Sequence, residues 1–347
     1  MQKILVWLSG WVDSAVTAYL LKEQWYDVTA GFMINYISDD GNCPTKKDLE
    51  EAKKVAEFLW INFFSFDYQK EYNDKIIQYI FDGYRQWYTP NPDILCNSKI
   101  KFDLFLQEAI NLGFDAIATG HYARIVESDW LYRLFKWKDQ VKDQSYFLAW
   151  LKQWQLSKAL FPIWSLEKSE VRQIAKKAWL PNADRKDSQW LCFIGNVDMK
   201  EFLKKELPEK KWYTVDREWN ILWEHNWVWF YTIWQRRWLG IWWNKAYFVI
   251  QKDLENNNLI VWDEEELALF SKSLTANNWH CISDELQLPQ KWYARIRHWQ
   301  SLQSSEVFDL WDFRIKVEFE NSQRAIASGQ IVAFYQGEEL VASAVIE

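Results

Sequence analysis

Hydrophobic positions alternate between two rhythms over the first part of the chain. Ile4 to Leu8 is an unbroken apolar run, the kind buried on both faces of a parallel sheet. From Ser14 the spacing becomes helical, with Val16, Tyr19 and Leu20 on one face. The same pattern predicts strands over Asp27 to Asn35, Asn62 to Tyr68 and Asp115 to Ala118. It predicts helices over Thr45 to Trp60, Tyr72 to Trp87 and Ile100 to Leu112. Such alternation defines an α/β domain, a doubly wound parallel sheet with its ligand at the carboxyl ends of the strands. Helical spacing continues through Gln144 to Leu151 and Lys168 to Ala178. Beyond about residue 205 the texture turns to short alternating runs separated by turn signals: Tyr213 to Val215, Val228 to Ile233, Ala246 to Gln251 and Leu259 to Val261. Tyr293 to Arg297, Arg314 to Phe319, Ile331 to Tyr335 and Leu340 to Ile346 continue it. The expected division is a catalytic domain over 1–204, a small central β domain over 205–265 and a C-terminal β-barrel-like domain over 266–347. The acidic run Asp263 to Glu266 marks the second boundary.

Between the first strand and the first helix stands Ser9-Gly10-Trp11-Val12-Asp13-Ser14. Strand, tight turn and helix N-terminus make an anion site, because unpaired N–H groups and the positive helix end converge there. The turn has no Gly-x-x-x-x-Gly-Lys. It resembles the Ser-Gly-Gly-x-Asp-Ser loop of ATP pyrophosphatases, with Trp11 where that loop has glycine. A phosphate cradle needs backbone unobstructed by a side chain, so tryptophan is a poor occupant.

Composition changes how Trp11 is read. The 347 residues include 26 Trp and only 10 Gly, against a usual glycine share of about 7%. Trp25, Trp60 and Trp179 close helical stretches as C′ residues do, and Trp242-Trp243 follow a turn-like Leu-Gly-Ile. The pattern points to a source that decodes UGA as glycine; the alternative is a genuinely Trp-rich protein. Trp154, Trp229 and Trp279 lie in contexts that do not ask for glycine.

The length calls for two or three domains, and 49% apolar content allows sizeable cores. A net charge of −7 means that nucleic-acid binding must use local basic patches, not the field of the whole molecule. Cys43, Cys96, Cys192 and Cys281 are too few and scattered for a secreted disulfide framework. No signal peptide and no apolar run of membrane-spanning length is written in the chain. A soluble cytosolic protein, with no membrane partner, is the expectation.

Four further segments carry candidate chemistry. In Thr89-Pro90-Asn91-Pro92-Asp93-Ile94-Leu95-Cys96-Asn97, two prolines are expected to hold an extended segment that presents Asp93 and Cys96. A Pro-rich loop with a buried Cys is the simpler reading. Thr119-Gly120-His121-Tyr122 follows a strand at the ligand end of the sheet, and a hydrogen-bonded structural role for His121 is favoured over a catalytic base. Lys142 to Leu148 mixes polar and aromatic groups at a helix entry, which also fits a capping arrangement. Asp187 to Gly195 holds Cys192, whose thiol pKa nearby positive charge would lower. Two thiols in one cytosolic domain suit a transient redox or sulfur-transfer pair. Without a Cys-x-x-Cys, and with dispersed histidines, metal binding is the weaker reading and no metal site is expected.

Taken in order, these words resemble the tRNA-specific 2-thiouridylase (MnmA) family nearly end to end. The resemblance rests on the Ser9 to Ser14 loop, Phe32-Met33, Asn91 to Asn97, Thr119 to Tyr122, Lys142 to Leu148 and the Cys192 segment. Tyr231 to Ile241 joins them, reading as Thr-Ile-Gly-Gln-Arg-x-Gly-Leu-Gly once Trp234 and Trp238 become glycine. The family pattern also places glycine at Trp7, Trp11, Trp190, Trp242 and Trp243; Gln189 departs from the threonine of many relatives.

The resemblance implies that ATP adenylates the C2 oxygen of the wobble uridine of tRNA. Sulfur from a cysteine persulfide then displaces AMP. On that reading Trp7, Leu8 and the Ser9-Gly10-Trp11-Val12-Asp13-Ser14 loop hold ATP with its Mg²⁺, and Met33 and Gly120 contact the adenosine. Asn91, Pro92 and Asp93 meet the flipped base, with Asp93 as general acid/base. Cys192 carries a persulfide delivered by a cysteine desulfurase or relay protein, and Cys96 is its partner nucleophile. Lys142, Asp143 and Gln144, with Arg297 and His298 of the last domain, contact tRNA. Two rivals remain: another ATP pyrophosphatase ligase acting on a small molecule, and a non-catalytic tRNA-binding protein if Trp11 is genuine.

Overall fold

Three sheets organise the chain in the computed structural model, which describes residues 1–37, 44–138, 142–185, 199–207, 210–225, 231, 235, 247–253, 255–256, 258–263, 270–282 and 286–347. The first is wholly parallel and five-stranded: β1 (Lys3–Trp7), β2 (Asp27–Ile34), β3 (Asn62–Asp67), β4 (Ala116–Ala118) and, after an inserted hairpin of β5 (Ala123–Ser128) and β6 (Leu131–Lys136), β7 (Ala159–Leu160). Its order is β3-β2-β1-β4-β7. Ile4, Leu5 and Val6 are fully buried, as an unbroken apolar run between two helical layers requires. Helix α1 (Val12–Glu23) follows β1, and α2 (Pro44–Leu59) follows β2. The chain winds outward from β1 to β3, then returns to β4 on the other side of β1. The β1/β4 junction is therefore the topological switch point, where the carboxyl ends of two strands open a crevice.

Later elements depart from the sequence reading in informative ways. Asn91 to Cys96 is not extended: Pro92–Cys96 is helical and runs on as a π-helix, Asn97–Leu104, into Phe105–Asn111. Pro92 occupies the first helical position, where a missing N–H costs nothing, and the Asn91 side chain accepts the Ile94 N–H at 3.4 Å as an N-cap. Gln144 to Leu151, read as helical, holds only the 3₁₀ turn Ser145–Leu148.

The β region contains β8 (Trp212–Val215), β9 (Ile221–His225), β10 (Tyr247–Asp253) and β11 (Asn258–Asp263), which form a four-stranded sheet. Then come β12 (Phe270–Cys281), β13 (Gln290–Arg295), β14 (Gln303–Asp309), β15 (Ile315–Arg324), β16 (Ile331–Gln336) and β17 (Glu339–Ile346). Because β12 pairs with both β15 and β17, these six strands close into a barrel. The β5–β6 hairpin joins its outside, with Glu339 opposite Phe135 and Leu340 opposite Leu134. Barrel and parallel-sheet domain thus share one hydrogen-bonded sheet. The hairpin, β7, β9, β12 and β14 were not visible as strands in the hydrophobic pattern, and the run expected over Val228 to Ile233 lies, Tyr231 apart, outside the described residues.

Seven described tryptophans have left-handed backbones: Trp25, Trp60, Trp87, Trp130, Trp179, Trp219 and Trp311, with φ between 54° and 69°. Trp25, Trp60, Trp87 and Trp179 each follow a helix in the same Schellman geometry. At Trp60, for instance, its own N–H reaches the Glu57 carbonyl and the Ile61 N–H reaches Ala56, both at 3.1 Å. At Gly113 the same pair recurs, with the Gly113 N–H on the Ile110 carbonyl and the Phe114 N–H on that of Ala109. Asp129-Trp130, both at positive φ, form the two-residue turn between β5 and β6, a turn that favours Asp-Gly. Trp154 and Trp279 lie in a helix and a strand instead; Trp190, Trp229, Trp234, Trp238, Trp242 and Trp243 lie outside the described residues. A side chain at positive φ costs about 1–2 kcal/mol, and Trp60 is 90% exposed, with little packing to offset it. Trp60→Gly should accordingly stabilise the fold by about 1 kcal/mol in urea denaturation.

Candidate active site

The Ser9 to Ser14 loop sits in the crevice at the carboxyl end of β1. Gly10 adopts φ +80°, and a Cβ there would stand 2.4 Å from the Asp48 carbonyl oxygen, so this position requires glycine. The Gly10 carbonyl accepts from Asn182 Nδ2 at 2.9 Å and Arg185 Nη1 at 3.0 Å. Arg185 also pairs with Asp48, whose carboxyl burial pushes up in pKa against the opposing pull of Arg185. Ser14 Oγ donates to the Trp11 carbonyl at 2.9 Å, accepts the Ser9 N–H at 3.1 Å and lies 3.0 Å from Ser9 Oγ. Trp11 itself has extended backbone, and its ring lies 3.8 Å from the Arg185 guanidinium. Leu8 and Val12 are buried, and the Leu8 N–H donates to the Gly31 carbonyl at 2.9 Å.

Asp13 is held from two sides. Tyr122 Oη donates to it at 2.8 Å, and Lys168 Nζ reaches both carboxylate oxygens at 2.6 and 2.7 Å. Gly120 closes the other wall, where a Cβ would come within 2.9 Å of the Asp13 carbonyl carbon. Loop, Gly120 and Tyr122 therefore converge at the switch point. Met33 is fully buried at the end of β2. Both side-chain polar atoms of nearby Asn35 are buried without a hydrogen-bond partner among the described residues, as befits a group awaiting a polar ligand.

Lys168 and Lys101 escaped the sequence reading, and Arg185 entered it only as positive charge near Cys192 rather than as part of the loop's setting. Lys168 opens the helix Lys168–Lys177, where a cation opposes the helix dipole. Such a misplaced charge signals an outside carboxylate, here Asp13. Lys101 is only 4% exposed, with Nζ 4.3 Å from the Trp7 ring centroid.

His121 is structural in its contacts: Nδ1 lies 2.7 Å from Thr119 Oγ1. Burial, then the charge of Lys101, lowers its pKa well below the ordinary value. Burial also lowers those of His225 (to about 4), His280 and His298. Each is neutral when folded and protonates more readily when unfolded. Stability should therefore be full above about pH 6.5, the ordinary histidine pKa, and fall as acid is added toward the folded-state values. Urea midpoints at pH 7.5 and 5.5 should show this, and His121→Gln should flatten the dependence.

Asn91 is nearly buried and its N–H donates to Tyr79 Oη at 3.2 Å. Asp93 stands in the first turn of the short helix, and Cys96 is a buried thiol on it. Cys192 and Cys43 lie outside the described residues, whereas Cys281 is half-buried on β12. Asp143, expected at tRNA, instead faces inward: it is 1% exposed and pairs with Arg295 Nη2 at 2.7 Å. Gln144 Oε1 accepts the Tyr122 N–H at 3.0 Å. Lys142 is partly exposed. Arg297 is exposed on the barrel, and His298 Nε2 lies 2.5 Å from the Asp143 carbonyl oxygen. Among the described residues no helix is long and apolar enough to cross a membrane.

A parallel sheet with a serine- and glycine-bearing loop at its switch point, followed by two β domains, defines a nucleotide-binding HUP-type protein. Family models agree with that class: the tRNA methyl transferase HUP domain matches residues 2–196, the tRNA methyl transferase PRC-barrel domain 200–263 and the aminomethyltransferase β-barrel domain 271–346. The tRNA-specific 2-thiouridylase MnmA of Shouchella clausii is 43% identical over 99% of this chain and 96% of its own. MnmA 1 of Geobacillus kaustophilus is 41% identical, over 100% and 95%. That of Alkaliphilus oremlandii is 40% identical, over 99% and 97%. The chain belongs to the MnmA tRNA 2-thiouridylase family.

Proposed function

We propose that this enzyme replaces the C2 oxygen of the wobble uridine of tRNA by sulfur at the expense of ATP. The observation that carries the reading is the convergence of Gly10, Ser9, Ser14, Asp13 and Gly120 at the switch point of a parallel sheet. It is joined by near-full-length identity of about 40% to proteins named as 2-thiouridylases. ATP suits this loop because Gly10 and Gly120 let the backbone close tightly on Asp48 and Asp13, which sets the serine hydroxyls and the start of α1 at the crevice. The N-terminus of α1 adds donors and positive potential. Mg²⁺, arriving with ATP, would neutralise phosphate charge.

The chemistry then balances as follows. The uridine C2 oxygen attacks the α-phosphorus, expelling pyrophosphate. A persulfide on Cys192 attacks C2, and AMP leaves. The Cys96 thiolate attacks Cys192 Sγ, closing a Cys96–Cys192 disulfide and leaving the outer sulfur on C2. A dithiol reductant resets the enzyme, and a cysteine desulfurase or relay protein reloads it. Asp93, in the same short helix as Cys96, serves as acid/base beside the flipped base, with Asn91 and Pro92 shaping its approach. Lys142, Arg297 and His298 supply local tRNA contacts of the kind an acidic protein needs.

We also propose that the source decodes UGA as glycine, so that many written tryptophans are glycine in the cell. The left-handed backbones at Trp25, Trp60, Trp87, Trp130 and Trp179, in motifs that glycine favours, support this. The test of function is direct: tRNA, ATP, a persulfide source and the full chain should yield 2-thiouridine and AMP. AMP formation indifferent to tRNA and sulfur would favour a small-molecule ligase instead.

A further inference from the structure

We infer that Arg295 of the barrel and Asp143 of the 142–145 loop form a positioning pair that sets the Asp13 carboxylate of the nucleotide loop. This rests on reading Ser9 to Ser14 as the ATP loop. The connection consists of discrete bonds. Arg295 Nη2 donates to Asp143 Oδ2 at 2.7 Å, and both side chains are nearly sealed from solvent. Asp143 Oδ1 also accepts the N–H groups of Trp137 and Ser145 at 3.0 Å, and Oδ2 accepts from Ser145 Oγ at 3.0 Å. Arg295 Nη2 donates further to Ser145 Oγ at 3.1 Å and to Tyr335 Oη.

With Arg295 Nη1 donating to the His298 carbonyl at 3.3 Å, these bonds point in fixed directions and define the loop's position, although Arg295 Nε is buried without a hydrogen-bond partner among the described residues. The next residue carries that position onward. Gln144 N–H donates to the Tyr122 carbonyl and Gln144 Oε1 accepts the Tyr122 N–H, both at 3.0 Å. Tyr122, 1% exposed and packed 4.9 Å from the Trp137 ring centroid, then donates its hydroxyl to Asp13 at 2.8 Å. The β5–β6 hairpin, beginning at the very next residue, fastens the same segment to β17 of the barrel. Tyr122 is therefore gripped from the barrel on both sides. Of the two holds on Asp13, Lys168 belongs to its own domain, and the Tyr122 hold is set by a domain far along the chain.

The test uses the full-length chain and follows AMP formation as a function of ATP, with tRNA affinity measured separately. Tyr122→Phe keeps the ring and removes only the hydroxyl; Arg295→Met removes the ion pair and Arg295→Lys keeps a charge. Tyr122→Phe and Arg295→Met should each raise KM for ATP by about fivefold or more while tRNA Kd stays within about twofold. The double variant should be little worse than the stronger single, because both cut one connection. Arg295→Lys should recover most of the loss, and it carries the test with Tyr122→Phe if Arg295→Met fails to fold. An unchanged KM for ATP in Tyr122→Phe, or fully additive effects, would overturn the positioning pair. Asp13→Asn separates the two levels: if it leaves KM for ATP unchanged, the ATP-loop reading falls. If only Asp13→Asn raises KM, the loop stands and the pair does not.

Discussion

Replacing Cys192 by serine should abolish 2-thiouridine formation, by roughly 10³-fold or more, the scale expected for losing a covalent carrier. Cys96→Ser should do the same by a different route. Without the Cys96 thiolate the sulfur remains tied to Cys192, so a trapped enzyme–tRNA adduct should accumulate on a denaturing gel. Cys192→Ser should show no such adduct yet still release pyrophosphate, since adenylation needs neither thiol. tRNA affinity should stay within about twofold in both variants, because a thiol contributes little to a phosphate-dominated interface. Cys281→Ser should behave as wild type, its side chain lying on β12 of the barrel. Quantifying 2-thiouridine by digestion and mass spectrometry decides the matter. Wild-type thiolation in either Cys96→Ser or Cys192→Ser would rule out the two-cysteine route.

Four of the five parallel strands were legible as short, largely apolar runs alternating with helical spacing, whereas the two-residue β7 was too short to show. The switch point followed, since chain order places the Ser9 to Ser14 loop and Gly120 at adjacent strand ends. The β5–β6 hairpin was not legible. Its members Arg124, Glu127, Arg133 and Lys136 break the alternation, because the pair is buried by the barrel only in patches. Asn91 to Cys96 misled for a different reason. Proline signals both an extended segment and a helix start, and only the Asn91 cap, which binds the Ile94 N–H, decides between them. Asp143 is expected at tRNA only through the family resemblance of Lys142 to Gln144, and nothing in the local pattern shows that it turns inward. Its partner Arg295 lies 152 residues away, beyond the reach of local spacing. The Lys168–Asp13 and Arg185–Asp48 pairs were hidden in the same manner, each joining distant elements.

Protein isolated from its native cell should yield a tryptic peptide, residues 4–22, whose mass places glycine at 7 and 11. The geometry around Trp11 says why this bears on catalysis. The indole lies 3.8 Å from the Arg185 guanidinium, so it covers a cation that sits against the Gly10 carbonyl. An arginine face so covered is closed to an anion, whereas glycine at 11 would leave both it and the loop backbone open to phosphate. Chains made with glycine and with tryptophan at residue 11 should therefore differ in ATP affinity by at least about tenfold, or 1.4 kcal/mol. The glycine form should be the tighter, by calorimetric titration. Equal affinities would mean that residue 11 stands clear of the phosphates. A tryptophan mass combined with tight ATP binding would remove the recoding proposal and leave the enzyme. A tryptophan mass combined with undetectable ATP binding would bring forward the non-catalytic tRNA-binding reading, because the loop would then lack room for its substrate.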